Sequence, residues 1–165
     1  MQLYMKQKVF SWKDRFSIQN SYGEDKYFVE GKLLSIGKKL YIYDTAGREG
    51  AFVRQNVISL LPNFSVEIGG QEVAVIRKKF TLLKPKYYIE GPGWEVQGDF
   101  FAHDYTITEN GKTVVTIHKV WMAWGDTFEL DIADESREVL AMAVVLAIDA
   151  VMDASQSSSA MMMNN

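Results

Sequence analysis

The chain predicts a mainly β protein, a closed antiparallel barrel of about twelve strands around a central hydrophobic C-terminal α-helix. Three observations predict it. Val139 to Met152 is apolar at every position except Asp149. Most of the chain before it alternates between short apolar-periodic runs and turn signals. One glycine-led pattern recurs along those runs, so the strands belong to related units of a single sheet.

The apolar stretch sets the architecture. Ala141, Ala143, Ala147 and Ala150, with Leu140, Met142 and Leu146, are helix formers, and a helix that is apolar all round must be buried in a protein or a membrane. Protein is favoured. The uninterrupted part, Val139 to Ile148, falls well short of the roughly 20 residues a bilayer needs. Its flanks carry Asp131, Asp134, Glu135, Glu138, Asp149 and Asp153, with Arg137 alone supplying positive charge, so no transmembrane span is expected. Asp134 is the expected N-cap, and Glu135 and Glu138 complement the positive end of the macrodipole, giving a helix over Glu135 to Met152.

The strands follow in order. Leu3 to Val9 and Phe16 to Gln19 flank a turn at 11–15. After a second turn at 21–25 come Lys26 to Leu34, Lys39 to Tyr43, Ala51 to Asn56, Phe64 to Ile68 and Val73 to Lys78. Lys86 to Glu90, Trp94 to Gly98, His103 to Thr108, Thr113 to Lys119 and Thr127 to Ile132 complete the set. In the last, Phe128, Leu130 and Ile132 alternate with Thr127, Glu129 and Asp131, the period of a strand with one wet face. Asn110-Gly111 suits a type I′ hairpin, and Gly47, Gly69 and Gly70 tolerate positive φ, so neighbouring runs should pair antiparallel.

The repeat reinforces this. Gly70 to Lys78 matches Gly111 to Lys119, with Gly47 to Gln55 a looser third copy. Thirteen residues after Val53, Ile76 and Ile117 stand Val66, Ile89 and Leu130. A barrel of about twelve strands leaves a lumen that its own side chains do not fill, and a helix roughly 10 Å across fills it.

Composition narrows the function. At 165 residues the chain is one domain, expected over 1–153, with 154–165 a polar, disordered tail. A formal charge of −3 argues against a dedicated nucleic-acid binder. With no cysteine there is no disulfide, thiolate metal site or cysteine nucleophile, as suits a reducing compartment. Met1 to Phe10 has no signal-peptide core, and the expected location is the cytoplasm, with peripheral association at the inner membrane surface.

Chemistry-bearing patterns are few. No serine elbow, phosphate-binding glycine loop, metalloprotease helix or calcium loop is found, and neither catalysis nor a cofactor is expected. His103 and Asp104 are strand neighbours that face opposite ways, so they do not form an acid–base pair. The best surface candidate is the basic set Arg77, Lys78, Lys79, Lys84 and Lys86, joined by Arg54, His118 and Lys119, as a site for an anionic headgroup. Arg54, Arg77 and His118 share one repeat position and should all face outward. Trp121, Met122 and Trp124 fall in an expected inter-strand connection, a candidate membrane or partner contact. Asp149 must be paired, and a lysine or arginine at the barrel mouth is its expected partner.

The strand order, the Gly-x-x-Val-x-x-Ile-[Arg/His]-Lys pattern at Gly70 and Gly111, the strand at Phe128 to Ile132 and the closing helix resemble the LURP-one-related proteins. These are grouped with the tubby C-terminal-like domains and the phospholipid scramblases. The resemblance covers Met1 to Asp153 and implies a twelve-stranded barrel around a C-terminal helix. For function it implies less, though within the wider group tubby domains bind phosphoinositide headgroups through basic residues. The residues themselves, with no catalytic constellation, are read as a non-catalytic binding module. An anionic phospholipid or phosphoinositide is the first expected partner, and a protein-interaction or regulatory scaffold is the alternative.

Overall fold

A computed structural model describes residues 1–6, 15–32, 37–79, 86–99, 102–122 and 125–163. Twelve strands precede one long helix. They are β1 (Gln2–Lys6), β2 (Arg15–Asn20), β3 (Asp25–Lys32), β4 (Lys39–Asp44), β5 (Glu49–Gln55) and β6 (Asn63–Ile68), then β7 (Gln71–Lys79), β8 (Lys86–Glu90), β9 (Trp94–Asp99), β10 (Asp104–Glu109), β11 (Lys112–Met122) and β12 (Gly125–Ile132). Every strand pairs antiparallel with its chain neighbours, and β1 pairs with β12 to close the barrel. The expected extensions of the first strand to Val9 and of the third to Leu34 lie outside the described residues.

Local sequence explains the hairpins. Gly69 and Gly70 (φ 59° and 76°) and Asn110 and Gly111 (φ 49° and 76°) each put both central residues at positive φ, the type I′ turn that matches strand twist. Ile68 pairs with Gln71 and Glu109 with Lys112 directly across these two-residue loops. The thirteen-residue spacing in the sequence is the ladder register itself. Val53 faces Val66, Ile76 faces Ile89 and Ile117 faces Leu130. The repeated pattern thus supplies an aliphatic pair pointing inward at three places round the barrel, and all six residues are at most 5% exposed.

Asp134 caps the helical segment as its sequence position predicts, its Oδ1 accepting from the Ser136 backbone N–H at 2.9 Å. A single 3-10 turn, Glu135–Arg137, comes first, and α1 runs from Glu138 to Met163. Ala141 to Ile148 are all buried. Lined against them are the inward faces of the strands, Leu3, Ile42, Phe64, Ile107, Phe128 and others, so helix and barrel share one core. The helix continues past the expected end at Met152 and through most of the segment read as a polar tail. Ala154 and Ser155 are still buried, and the Ser155 hydroxyl donates to the Val151 carbonyl at 2.7 Å. That back-bond satisfies the serine inside the helix, where composition alone pointed to a disordered tail.

In an up-and-down barrel, alternate connections share an end. The β2–β3, β4–β5, β6–β7, β8–β9 and β10–β11 turns lie where α1 enters. The connections from odd to even strands lie at the other end, where α1 leaves. That end is termed the mouth.

Candidate functional site at the barrel mouth

Asp149 is carried by α1 to the mouth and is 8% exposed. Its hydrogen-bond partner is His103, and the lysine expected from the sequence, Lys38, acts on it through charge. The Nε2 of His103 donates to Oδ1 of Asp149 at 2.9 Å. His103 precedes β10 rather than belonging to it, because its φ of 53° breaks the extended backbone. The imidazole lies over Phe128, with ring centroids 4.2 Å apart and planes within 19°. Burial pushes the Asp149 carboxyl above the usual carboxylate range, and the bond and charge of His103 offset only part of that effect. Burial first, and the Asp149 carboxylate second, raise the phenols of Tyr87 and Tyr105.

Asp104, the next residue, turns outward and accepts from His118 Nδ1 at 2.8 Å. The two acid–histidine contacts therefore stand apart, one buried at the mouth beside α1 and one on the exposed outer face of the wall. Lys38 is ion-paired with Asp153 of α1, and its backbone N–H donates to Gln55 Oε1 at 3.1 Å. Among the described residues, no group of three or more His, Asp or Glu side chains is arranged to hold a metal. No described helix is long and apolar enough to cross a membrane.

The basic set is divided by the strand order. Arg77, Lys78, Lys79 and Lys86 come together at the mouth end of the β7–β8 hairpin, whereas Lys84 lies outside the described residues. Arg77 is exposed and pairs with Glu90 at 3.1 Å. Lys78 is half-buried on the inward parity of Ala74 and Ile76, opposite Tyr87. Lys79 and Lys86 are direct cross-strand partners, and like charges placed opposite one another repel. Arg54 sits two strands away on β5, held by Glu67 at 2.6 Å and Glu72 at 3.7 Å. His118 and Lys119 are on β11, remote from β7 in the ladder. Arg54, Arg77 and His118 do all face outward, as their shared repeat position implies.

Trp121 and Met122 are strand residues, paired with Asp126 and Gly125, rather than part of a connection. The ladder extends to the end of β11 because β12 begins at Gly125, earlier than Thr127. Trp124 lies outside the described residues, as do the side chains of Trp121, Met122, Lys79 and Lys86.

Sequence reasoning passed over a different feature of the mouth. The β5–β6 connection, 56–62, holds Ile58 and Leu60 essentially fully exposed, at 99% and 102%, and Val57 half exposed. Its base is rigid. Asn56 accepts from Arg54 Nη1 at 3.1 Å, donates through Nδ2 to Ser65 Oγ at 2.9 Å, and its backbone N–H reaches the Asn63 carbonyl at 3.0 Å. Gly37, at φ +80°, lies beneath Val57, where a Cβ would come within 2.6 Å of Val57 Cγ1. The available signal was an apolar run, Val57-Ile58-Ser59-Leu60-Leu61, between two strands that pair with each other and so leave it nothing to cover.

Three comparisons bear on identity. The chain is 34% identical over 152 residues to the uncharacterized protein YxjI of Bacillus subtilis (strain 168), covering 92% of this chain and 94% of that one. A crystal structure of an Arabidopsis thaliana protein superposes with a TM-score of 0.62 over 90% of each chain, at 14% identity, which establishes likeness of fold. The family model for LURP-one-related proteins matches residues 1–149. With that match spanning the barrel and most of its buried helix, the chain belongs to the LURP-one-related family.

Proposed function

We propose that the protein is a non-catalytic binding module that associates with anionic lipid headgroups at the inner membrane surface, through the mouth end of the β7–β8 hairpin. The observation that carries this reading is the register of Lys79 against Lys86, with Lys78 beside them. Like charges at directly paired positions of adjacent strands are unfavourable, and an anion bound across those positions would offset that cost. The resemblance to tubby C-terminal-like domains, where basic residues hold headgroups, supports the same reading. Each lysine near an acidic leaflet contributes on the order of 1 kcal/mol, so three together contribute about 3 kcal/mol, roughly a hundredfold in partition.

The test is co-sedimentation of the full chain with vesicles of phosphatidylcholine alone, with phosphatidylserine added, and with a phosphoinositide added, at low and physiological salt. Binding confined to the anionic vesicles, weakening with salt and lost in Lys79→Glu/Lys86→Glu, is the expected result. Binding indifferent to lipid charge, or unchanged in that variant, refutes the headgroup reading. The absence of binding to every vesicle would move the search to protein partners, with the β11–β12 connection as first surface.

A further inference from the structure

The β5–β6 connection has no role in the headgroup reading, yet it is the most exposed aliphatic feature among the described residues. Ile58 and Leu60 present almost their entire side chains to solvent, with Val57 half exposed beside them. Single exposed aliphatics are common on protein surfaces, but three within four residues on one loop tip are not. Nor is the tip a loose segment. Asn56 is tied to Arg54, Ser65 and Asn63, the Ser59 N–H donates to the Asn56 carbonyl at 3.4 Å, and Val57 rests on Gly37. The aliphatic groups are held out from the barrel on a braced stem.

We infer that the 56–62 loop inserts Ile58 and Leu60 into the interfacial zone of an anionic bilayer while the neighbouring lysines remain at headgroup level. The inference rests on the headgroup reading and deepens it: the ligand is a bilayer surface, not a free headgroup in solution.

Topology and charge favour that occupant. The β3–β4, β5–β6 and β7–β8 connections all open at the mouth, so the loop stands between two cationic strand ends. On one side Lys39 pairs in register with Arg54, and on the other Asn63 pairs with Arg77, which is followed by Lys78. Arg54 is engaged by Glu67 and Glu72 and Arg77 by Glu90, so the positive charge offered at the two strand ends is that of Lys39 and Lys78, with which no carboxylate forms an ion pair among the described residues. An aliphatic tip with cationic flanks matches an acidic leaflet in both layers, because the headgroups are anionic and the acyl chains beneath them are apolar. The tip is also convex and narrow. A protein partner would need a shaped pocket and about 800 Å² on each side for a stable complex, whereas lipid closes around any small apolar projection.

The chain lacks cysteine, so one introduced thiol reports its own surroundings. Ile58→Cys and, at the opposite end, Tyr22→Cys would each be labelled with an environment-sensitive fluorophore and mixed with vesicles of phosphatidylcholine and phosphatidylserine. Tyr22 is 87% exposed and serves as the control. Insertion predicts a blue shift, increased intensity and quenching by lipid-borne bromine at position 58, and none of these at position 22. Ile58→Ser/Leu60→Ser, at sites with no packing to lose, should fold normally and bind these vesicles at least about tenfold more weakly.

The outcomes separate the two ideas. If wild type binds anionic vesicles while position 58 stays in water and the serine variant binds equally well, insertion is overturned and headgroup binding stands. If Lys79→Glu/Lys86→Glu binds the anionic vesicles like wild type and position 58 is still buried, the headgroup site is overturned and insertion stands. If no vesicle is bound at all, both are overturned.

Discussion

Leu146 and Leu60 are the same residue type in opposite surroundings, and truncating each to alanine tests the buried-helix architecture with an internal control. Leu146 is on α1, wholly inaccessible, inside the shared core of helix and barrel. Removing its three outer carbons forfeits the transfer free energy of those atoms and leaves a cavity that the surrounding closed sheet cannot collapse to fill. Leu→Ala at such sites costs about 2.7–5.0 kcal/mol. For a domain of this size each kcal/mol lowers Tm by roughly 2–4 °C, so the expected fall is on the order of 5–20 °C. Leu60→Ala removes the same atoms from a side chain already in water and should stay within about 0.5 kcal/mol of wild type. Urea unfolding, followed by tryptophan fluorescence and far-ultraviolet circular dichroism, gives both values. A loss below about 1 kcal/mol for Leu146→Ala, or equal losses for the two variants, would mean that α1 is not enclosed by the barrel.

Two further substitutions probe the mouth and the wall. Asp149→Asn keeps an oxygen that accepts from His103 Nε2 but removes the ionisable group. Because burial raises the Asp149 carboxyl above its unfolded value, the folded state favours the protonated acid. That contribution is complete below the unfolded pKa of about 3.9 and is lost as pH rises through the folded value. The stability of Asp149→Asn relative to wild type should therefore improve between pH 3.5 and 7, and a change in the opposite direction in paired thermal melts refutes the assignment. Gly98→Ala addresses the wall: at φ +129° its Cβ would lie 2.6 Å from both the Asp104 carbonyl oxygen and the Tyr105 Cα on β10. Both neighbours are backbone, so about 2 kcal/mol or more of strain is expected, visible as a drop in Tm of several degrees, and an unchanged Tm would show that the β9–β10 ladder is more yielding than its register implies.

The parts of this fold that were legible in the sequence are those written in local chemistry. Alternation and glycine turns mark all twelve strands because each signal is contained within a few residues. Closure is a long-range property, yet it was legible too, since an all-round apolar helix needs cover on every side. The repeat even encoded register, for thirteen residues separate Ile76 from Ile89 and Ile117 from Leu130 along the chain as well as across the ladder. The site was less legible. Charge logic assigned Asp149 a lysine or arginine; Lys38 does act on it through charge, but its hydrogen-bond partner is a histidine 46 residues away in sequence. The sequence reading said only that His103 and Asp104 face opposite ways, and pairing the histidine with Asp149 required knowing how far along the barrel α1 carries the acid. The exposed loop was missed for a different reason. An apolar run is read as core by default, and only the pairing of β5 with β6 shows that this one has nothing to pack against.

The two ends of the barrel divide the work, and the division follows from topology. At the end where α1 enters, polar groups are paired among themselves. Arg137 donates twice to Glu109, at 2.7 and 2.9 Å, lies over the Trp94 ring at 5.0 Å, and holds the Glu109 carboxyl below the usual carboxylate range. Lys26 closes on Glu138 at 2.8 Å. These contacts fix where the helix begins, so lengthening the tight turns beside them would disturb the packing of the core. At the mouth the strands are already registered by the hairpins at the far end, and a longer connection costs only the slowly growing entropy of loop closure. The chain can therefore vary length, charge and apolarity there without unfastening the barrel. That freedom accounts for the aliphatic tip at 56–62 and the paired positions Lys79 and Lys86 sharing one end, and it is what the proposed function draws on, since loops at that end can change without cost to the core.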